Sequence, residues 1–409
     1  KENEIYDLGM LCLQQKKFKE ALELFLEIIE MKPDHKLAYI KLAVTYKELN
    51  QLEKAAESYK KAIKIDPSDS ETYLNQAIIF KKLKNNDRAI DLCKESIKID
   101  NNYEDAHYFL ALIYRETGRY KKAINSFEKT IKINPRSTRA YNNLGLLLSE
   151  SGEKEKAAAC YNKAIEINPN YIDPYWNLHS FAKNIDDALN ILNKLHKIDR
   201  ECVEAEIMIN ILETFKGNGE NFNKMMKTSL SNHPIARSAQ WVFSLPTKPK
   251  IFFNRWDFFK SVVKLANKTR PFYEFGVWNG VSFKFLIKEF KKGYGFDTFK
   301  GLPEDWDTAG EAKGYYSSYN KIPRIKGGKF ITGEYEKSLP KFFSTKKPLA
   351  SLINFDADLY SSTLCALNNV IKVIDESSIL IFDEFLTNIR WEEDEYKALN
   401  EFCENNHVS

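Results

Sequence analysis

The sequence predicts two architectures in succession: an all-α solenoid of stacked helix pairs, then an α/β domain built on a parallel sheet. Three observations predict it. A proline ladder with a 34-residue step runs through the first half, and small and large apolar residues keep fixed registers on the same step. From Pro271 onward, short apolar runs alternate with helical stretches, the pattern of strands joined by crossovers. A length of 409 residues also exceeds one ordinary domain, since about 100–200 residues per domain is typical.

The ladder consists of Pro33, Pro67, Pro135 and Pro169, with Asn101 on the missing rung. Ala21, Ala55, Ala89, Ala123 and Ala157 share one register, and four residues later come Phe25, Tyr59, Cys93, Phe127 and Tyr161. Earlier in each unit stand Leu8-Gly9, Leu42-Ala43, Gln76-Ala77, Leu110-Ala111 and Leu144-Gly145. Small residues let paired helices approach closely, the large residue fills the gap between pairs, and proline stops the second helix. Over roughly residues 2–170 this pattern resembles the tetratricopeptide signature. A sixth, shortened unit follows with Tyr175, Leu178, Ala188, Leu192 and Leu195 in step. Val203–Phe215 is expected to be a terminal cap, and Lys216-Gly217-Asn218-Gly219 the end of the solenoid. The expected domains are therefore 1–216, a bridging segment 217–268, and 269–409.

Such arrays present a concave surface that commonly binds peptides or partner proteins, the alternatives being a spacer or a dimerisation surface. Asn142, Asn143, Asn177, Tyr108 and Arg115 are its candidate lining, although an outward solvated face explains the same residues equally well.

In the second half, strands are expected at 272–276, 293–297, 329–332, 352–356 and 378–383, with helices at 282–290, 364–374 and 394–405. The first strand leads into Glu274-Phe275-Gly276-Val277-Trp278-Asn279-Gly280, where two glycines four apart permit a tight turn and close approach to a ligand. Asp297 ends the next strand, 23 residues after Glu274, at the spacing of a carboxylate that accepts from a ribose. Asp356-Ala357-Asp358 and Asp383-Glu384 end two further strands. Carboxylates at neighbouring strand ends repel one another, and a hard divalent cation (Mg²⁺, Ca²⁺ or Mn²⁺) relieves that repulsion, the alternative being helix capping and solvated strand ends.

These segments together resemble a family. Phe275-Gly276-Val277-Trp278, Gly295 through Glu304, Asp356 through Thr363 and Phe382-Asp383-Glu384 are similar to the macrocin O-methyltransferase group, which includes the noviose-type sugar O-methyltransferases. The resemblance runs from about Asn254-Arg255-Trp256 to the chain end. It implies a Rossmann-like class I methyltransferase fold, S-adenosylmethionine as donor, Mg²⁺ or another hard divalent cation as helper, and a sugar or glycan hydroxyl as acceptor. It implies further that Asp356, Asp383 and Glu384 hold the metal and that Asp358 is the general base. Glu274, Gly276, Gly280, Ser282 and Asp297 would hold the cofactor. Glu384 stands where the sugar enzymes have Asp. The chain stops at His407-Val408-Ser409, where the family's sixth strand would begin, so the resemblance implies an incomplete sheet edge.

The chemistry asks for help with deprotonation. A free Asp, with pKa ~3.9, matches an alcohol proton poorly, whereas metal coordination lowers the pKa of bound water from ~15.7 to ~7. Histidine, the usual competitor for the base, is absent between Pro271 and Phe402. Some thirty residues between Phe299 and Lys329 show little periodicity and carry Trp306, Tyr315, Tyr316 and Tyr319, which are expected to form a substrate lid. Residues 237–268 are expected to be partly helical and to pack over the site mouth, with Arg255 holding an anionic group or a structural ion pair.

Composition narrows the rest. A net charge of +4 with interspersed signs makes no case for nucleic acid, and no apolar run approaches the ~20 residues of a membrane span. Six cysteines without a C-x-x-C pair fit neither zinc nor a disulfide scaffold, and are expected to be packed thiols of a cytoplasmic protein. The reading is an O-methyltransferase with a docking array. Its alternatives are an interaction scaffold with a non-catalytic methyltransferase-like domain, and a protein methyltransferase.

Overall fold

A computed structural model describes residues 2–406 except 308, 310, 312, 315, 319, 384, 387 and 388. The chain divides into two compact units, Lys1–Leu147 with Glu166–Asn168, and Leu148–Ile165 with Pro169–Ser409. The division falls inside the fifth repeat, ahead of the boundary at 216 expected from repeat spacing.

The first unit is built of helix pairs: α1 (Glu2–Gln14) with α2 (Phe18–Met31), α3 (Lys36–Glu48) with α4 (Leu52–Ile65), α5 (Ser70–Lys82) with α6 (Asn86–Ile99), and α7 (Glu104–Glu116) with α8 (Tyr120–Ile133). Next come α9 (Thr138–Glu150) and α10 (Lys154–Ile167). The register residues through Phe127 are its core, and Ala157 and Tyr161 hold the same places in the second unit. Ala21, Ala55, Ala89, Ala123 and Ala157 have no exposed surface, and the large residues four positions on are buried with them. Each ladder proline stands two residues past a helix end, as a stop signal should.

One regularity of the backbone lies on the same step. Lys16, Asn50, Lys84, Gly118 and Gly152 all have positive φ, between 56° and 78°. Each turns the chain from the first helix of a pair into the second. The amide of the following residue closes a bond to the carbonyl five residues back, as in Lys17 to Cys12 and Arg119 to Tyr114, at 2.8 and 2.7 Å. This left-handed cap satisfies helix carbonyls that otherwise lack donors.

In the second unit, α11 (Asp173–His179) and α12 (Ile185–Ile198) form the shortened sixth pair, and α13 (Val203–Phe215) has the bounds expected of the cap. It does not end the stack. Ile207 and Ile211 of α13 pack with Phe222 and Met225 of α14 (Glu220–Met225) and with Ala236 and Ala239 of α15 (Pro234–Ser244). Gly217 and Gly219 make a turn inside a continuing helical layer, because the second apolar face of α13 is buried rather than solvated. The bridge ends in α16 (Arg255–Leu265), whose N-terminus is capped by Asn254 accepting from the Trp256 amide at 2.9 Å.

The sheet follows: β1 (Phe272–Phe275), α17 (Val281–Phe290), β2 (Gly293–Asp297), β3 (Gly328–Thr332), α18 (Tyr335–Phe342), β4 (Leu352–Phe355), α19 (Tyr360–Val370), β5 (Ile379–Phe382) and α20 (Glu395–Asn406). All pairings are parallel, in the order β3-β2-β1-β4-β5. Central β1 and β4 are buried at every position, which is why they read as unbroken apolar runs. One face packs on α16 and α17 through Phe259, Phe272, Phe283 and Leu286, the other on α18, α19 and α20 through Phe275, Leu339, Leu367 and Phe402. Two expectations need correction. The helix expected at 364–374 starts at Tyr360, and α18 was not anticipated because Pro340 inside it masked its apolar stripe.

Candidate functional site

A row of phenylalanines sets the site. Phe296, Phe275, Phe355 and Phe382 are register partners on β2, β1, β4 and β5. Their rings stack nearly parallel across the sheet, with centroids 4.7 Å apart between Phe275 and Phe296, 5.4 Å between Phe275 and Phe355, and 4.8 Å between Phe355 and Phe382. The residue after each is Asp297, Gly276, Asp356 or Asp383, so one line of register delivers three carboxylates and a glycine to the carboxyl end of the sheet. Gly276 has φ +85°, and a Cβ there would stand 1.6 Å from the Asp356 carbonyl oxygen. Only glycine lets β1 and β4 leave the sheet this close together.

These ends line a cavity of about 210 Å³. It lies where the strand order reverses between β1 and β4, the position at which open parallel sheets bind ligands. Of the expected residues, Gly276, Asp297, Asp356, Asp358, Asp383, Arg255 and Tyr316 line it. Three lining residues other than glycine, Trp278, Tyr316 and Asp358, have φ of 45°, 57° and 62°. Backbone of this kind costs about 1–3 kcal/mol per residue and collects at functional sites.

Asp297 takes its place through its own turn. Its Oδ2 accepts from the Val277 and Trp278 amides at 2.8 and 2.7 Å, and its Oδ1 from the Phe299 amide at 2.6 Å. Burial pushes its carboxyl up, against those amide bonds, which favour the charged form. Asp356 is pushed well up, first by burial and then by the charge of Asp383, while Arg255 opposes the shift. Arg255 donates to Asp383 Oδ2 in an ion pair. α16 is held in turn by Trp256 Nε1 donating to the Ser149 carbonyl at 3.2 Å and by an ion pair between Lys154 and Asp257.

Other expected residues lie elsewhere. Glu274 is wholly buried beneath the cavity, its Oε1 accepting from Asn354 Nδ2 at 3.1 Å while its Oε2 has no hydrogen-bond partner. Burial raises it to about 7 despite Ser282 and Asn354 beside it. Ser282 is thus buried in the core and does not line the cavity. Gly280 faces Pro323 and Ile325, so the second glycine of the turn packs against the long loop. Trp306 is not a surface ring. It is buried with Leu302 and Leu359, and its Nε1 donates to Asp394 Oδ2 at 3.3 Å, because the loop folds back on α20. Tyr315, Tyr319 and Glu384 lie outside the described residues. Among the described residues, no group of three His, Cys, Asp or Glu side chains is placed to hold a metal ion.

Sequence reading missed Glu334, Tyr335 and Glu336, which line the cavity from the start of α18. Tyr335 is buried and its hydroxyl donates to the Phe296 carbonyl at 3.2 Å. The available signal was strand-end position: Thr332 is the register partner of Asp297, so residues just beyond it must flank the same cavity. Of the expected groove residues in the first unit, Arg115 Nη1 donates to Asn143 Oδ1 at 2.8 Å and Asn143 Nδ2 to Tyr108 Oη at 3.1 Å. Asn142 is buried. None of the six cysteines forms a disulfide, and no helix among the described residues is long and apolar enough to cross a membrane.

Comparison with known proteins bears on the first half. Tetratricopeptide-repeat family models match residues 5–35, 45–84, 70–103, 111–152 and 138–171. None of the curated proteins matches the chain. Among solved structures, a crystal structure of MamA is 29% identical over 39% of this chain and 94% of its own, with a TM-score of 0.38. YrrB, described as a TPR protein with an unusual peptide-binding site, is 23% identical over 45% of this chain and 97% of its own, with a TM-score of 0.38. The C-terminal part of a TPR repeat-containing protein from Cytophaga hutchinsonii is 18% identical over 57% and 98%, with a TM-score of 0.48. With the buried alanine and large-residue registers and the recurring left-handed turn, the family-model matches make the N-terminal region of this chain an array of tetratricopeptide repeats.

Proposed function

We propose that the repeats dock a peptide or protein and that the α/β domain is an S-adenosylmethionine-dependent, Mg²⁺-assisted O-methyltransferase acting on a sugar, glycan or related hydroxyl. The observation that carries the second half is the convergence of Asp297, Asp356, Asp358 and Asp383 on one cavity at the switch point of the sheet. Two of the three expected metal ligands, Asp356 and Asp383, meet at the cavity, and the third, Glu384, lies outside the described residues. Asp297 is an acceptor held at the cavity edge, and Asp356 beside Asp383 is a carboxylate pair whose repulsion calls for a cation.

When bound, the donor would supply an electrophilic methyl group and the metal would acidify the acceptor hydroxyl. Asp356 and Asp383 would hold the metal, with Arg255 moving off Asp383 as they do so. Asp358, on strained backbone at the same rim, would take the hydroxyl proton. Asp297 and Gly276 would position the nucleoside part, and the walls would exclude water.

A second reading has a specific observation in its favour: the Arg255 guanidinium already neutralises Asp383, as it would in a domain retained for docking without turnover. Calorimetric titration of S-adenosylmethionine with and without Mg²⁺ separates the two. Micromolar binding that is lost in Asp297→Ala, followed by methylation of a sugar acceptor that Asp358→Asn abolishes, supports the enzyme. Donor binding with label appearing only on a docked polypeptide would make it a protein methyltransferase. No binding under either condition leaves the scaffold reading.

A further inference from the structure

The first unit carries a groove that the concave-surface reading does not use. It lies between α6 and α8, over α7, with a volume of about 650 Å³. Its floor is His107, Leu110 and Tyr114, spaced i, i+3, i+7 on one face of α7, with Ile97 of α6 beside them. Tyr108 and Arg115, the bonded pair near Asn143, stand on a different face of that helix. Four lysines surround the floor: Lys94 and Lys98 from α6, Lys122 and Lys129 from α8. No carboxylate is among the lining residues.

The lysines are not locked into other roles. Lys94 and Lys98 approach Asp91 and Glu95 one turn back on their own helix at 3.8 and 3.5 Å, in exposed pairs that contribute little. Lys122 lies over the Tyr114 ring at 5.6 Å, at the edge of the floor. Burial first, and the Lys129 charge in the same sense, favour the neutral imidazole of His107, against its bond to the Asn101 carbonyl and the charge of Asp100.

We infer that this groove docks an acidic peptide, with Asp or Glu side chains meeting the four ammonium groups and one bulky apolar side chain seated on Ile97, Leu110 and Tyr114. Charge complementarity names the acid, and the apolar floor favours a peptide over a nucleic acid, whose backbone would leave that floor unfilled. The inference rests on the docking half of the proposed function and identifies the partner's chemistry and its place on the array.

The test is selection of a random nonapeptide display library on the full-length chain, followed by anisotropy measurements on a fluorescein-labelled winner. The expected winners carry Asp or Glu flanking Leu, Ile or Phe. Their affinity should fall at least tenfold in Lys98→Glu/Lys129→Glu, should fall with added salt, and should not change in Arg115→Ala. The neutral pair Lys98→Gln/Lys129→Gln carries the same test should the reversed pair misfold, circular dichroism reporting the fold. Neutral or basic winners overturn the inference. So do winners sensitive to Arg115→Ala alone, which would move the partner to the other face of α7 and leave the docking reading standing. A single-stranded RNA 20-mer outcompeting the winners would replace peptide by nucleic acid, and no enrichment at all would remove the docking reading as well.

Discussion

Glu274 shows how one residue's environment decides its role. Its motif position suggests a cofactor contact, yet it sits below the cavity as a buried carboxyl raised from the ordinary 4.5 to about 7 by burial. A carboxyl whose folded value exceeds its unfolded value holds its proton more tightly in the native state. Its cost to stability is therefore absent below pH about 4.5 and grows as pH rises to about 7. Glu274→Gln, which keeps shape and removes charge, should match wild type at pH 4 and be more stable at pH 8 by on the order of 3 kcal/mol. Urea denaturation at both pH values checks this, and equal midpoints at pH 8 would refute the buried carboxyl. Trp306 makes the complementary point. A Trp in a long loop reads as a stacking platform, but burial with Leu302 and Leu359 makes it an anchor. Trp306→Ala should lower stability by roughly 3–5 kcal/mol through the cavity it leaves. If the cavity takes the proposed donor and acceptor, the same variant should weaken the binding of both together. An unchanged melting temperature with a raised acceptor KM alone would restore the lid.

At the scale of the element, the repeat turn is the informative unit. Five residues on the 34-residue step adopt the left-handed conformation, yet only Gly118 and Gly152 do so without a Cβ, and Asn50 is the side chain that tolerates it best. Lys16 and Lys84 hold the same conformation under strain. Lys84→Gly should therefore stabilise the array by about 0.5–1 kcal/mol, against the usual cost of glycine, and thermal unfolding monitored by circular dichroism measures it. A loss of stability would mean that the lysine stem contributes packing beyond the turn. Strand ends follow a similar logic. In β1, β2, β4 and β5 a phenylalanine directly precedes the residue that enters the cavity, so packing of the ring and placement of the next residue are one event.

Over the whole molecule, the sequence by itself determined the repeat array and the order of strands and helices in the second half. Both are written in local periodicity: the 34-residue step reports which faces must be buried, and strands such as Phe272–Phe275 and Leu352–Phe355 are apolar throughout because both faces are covered. The acids Asp297, Asp356, Asp358 and Asp383 were legible for the same reason, since position at a strand end is a local property. Tertiary structure alone decided which neighbours those residues meet. Register placed Gly276 against Asp356, α16 brought Arg255 onto Asp383, and the start of α18 added Glu334 and Glu336. It also took Glu274, Ser282, Gly280 and Trp306 out of the cavity wall, and continued the helical layer past Gly219. Such partners lie tens of residues or more apart in the chain, and no local pattern encodes them. Only the close packing of buried surfaces selects them, because each apolar face must find a complement and each buried polar group a partner.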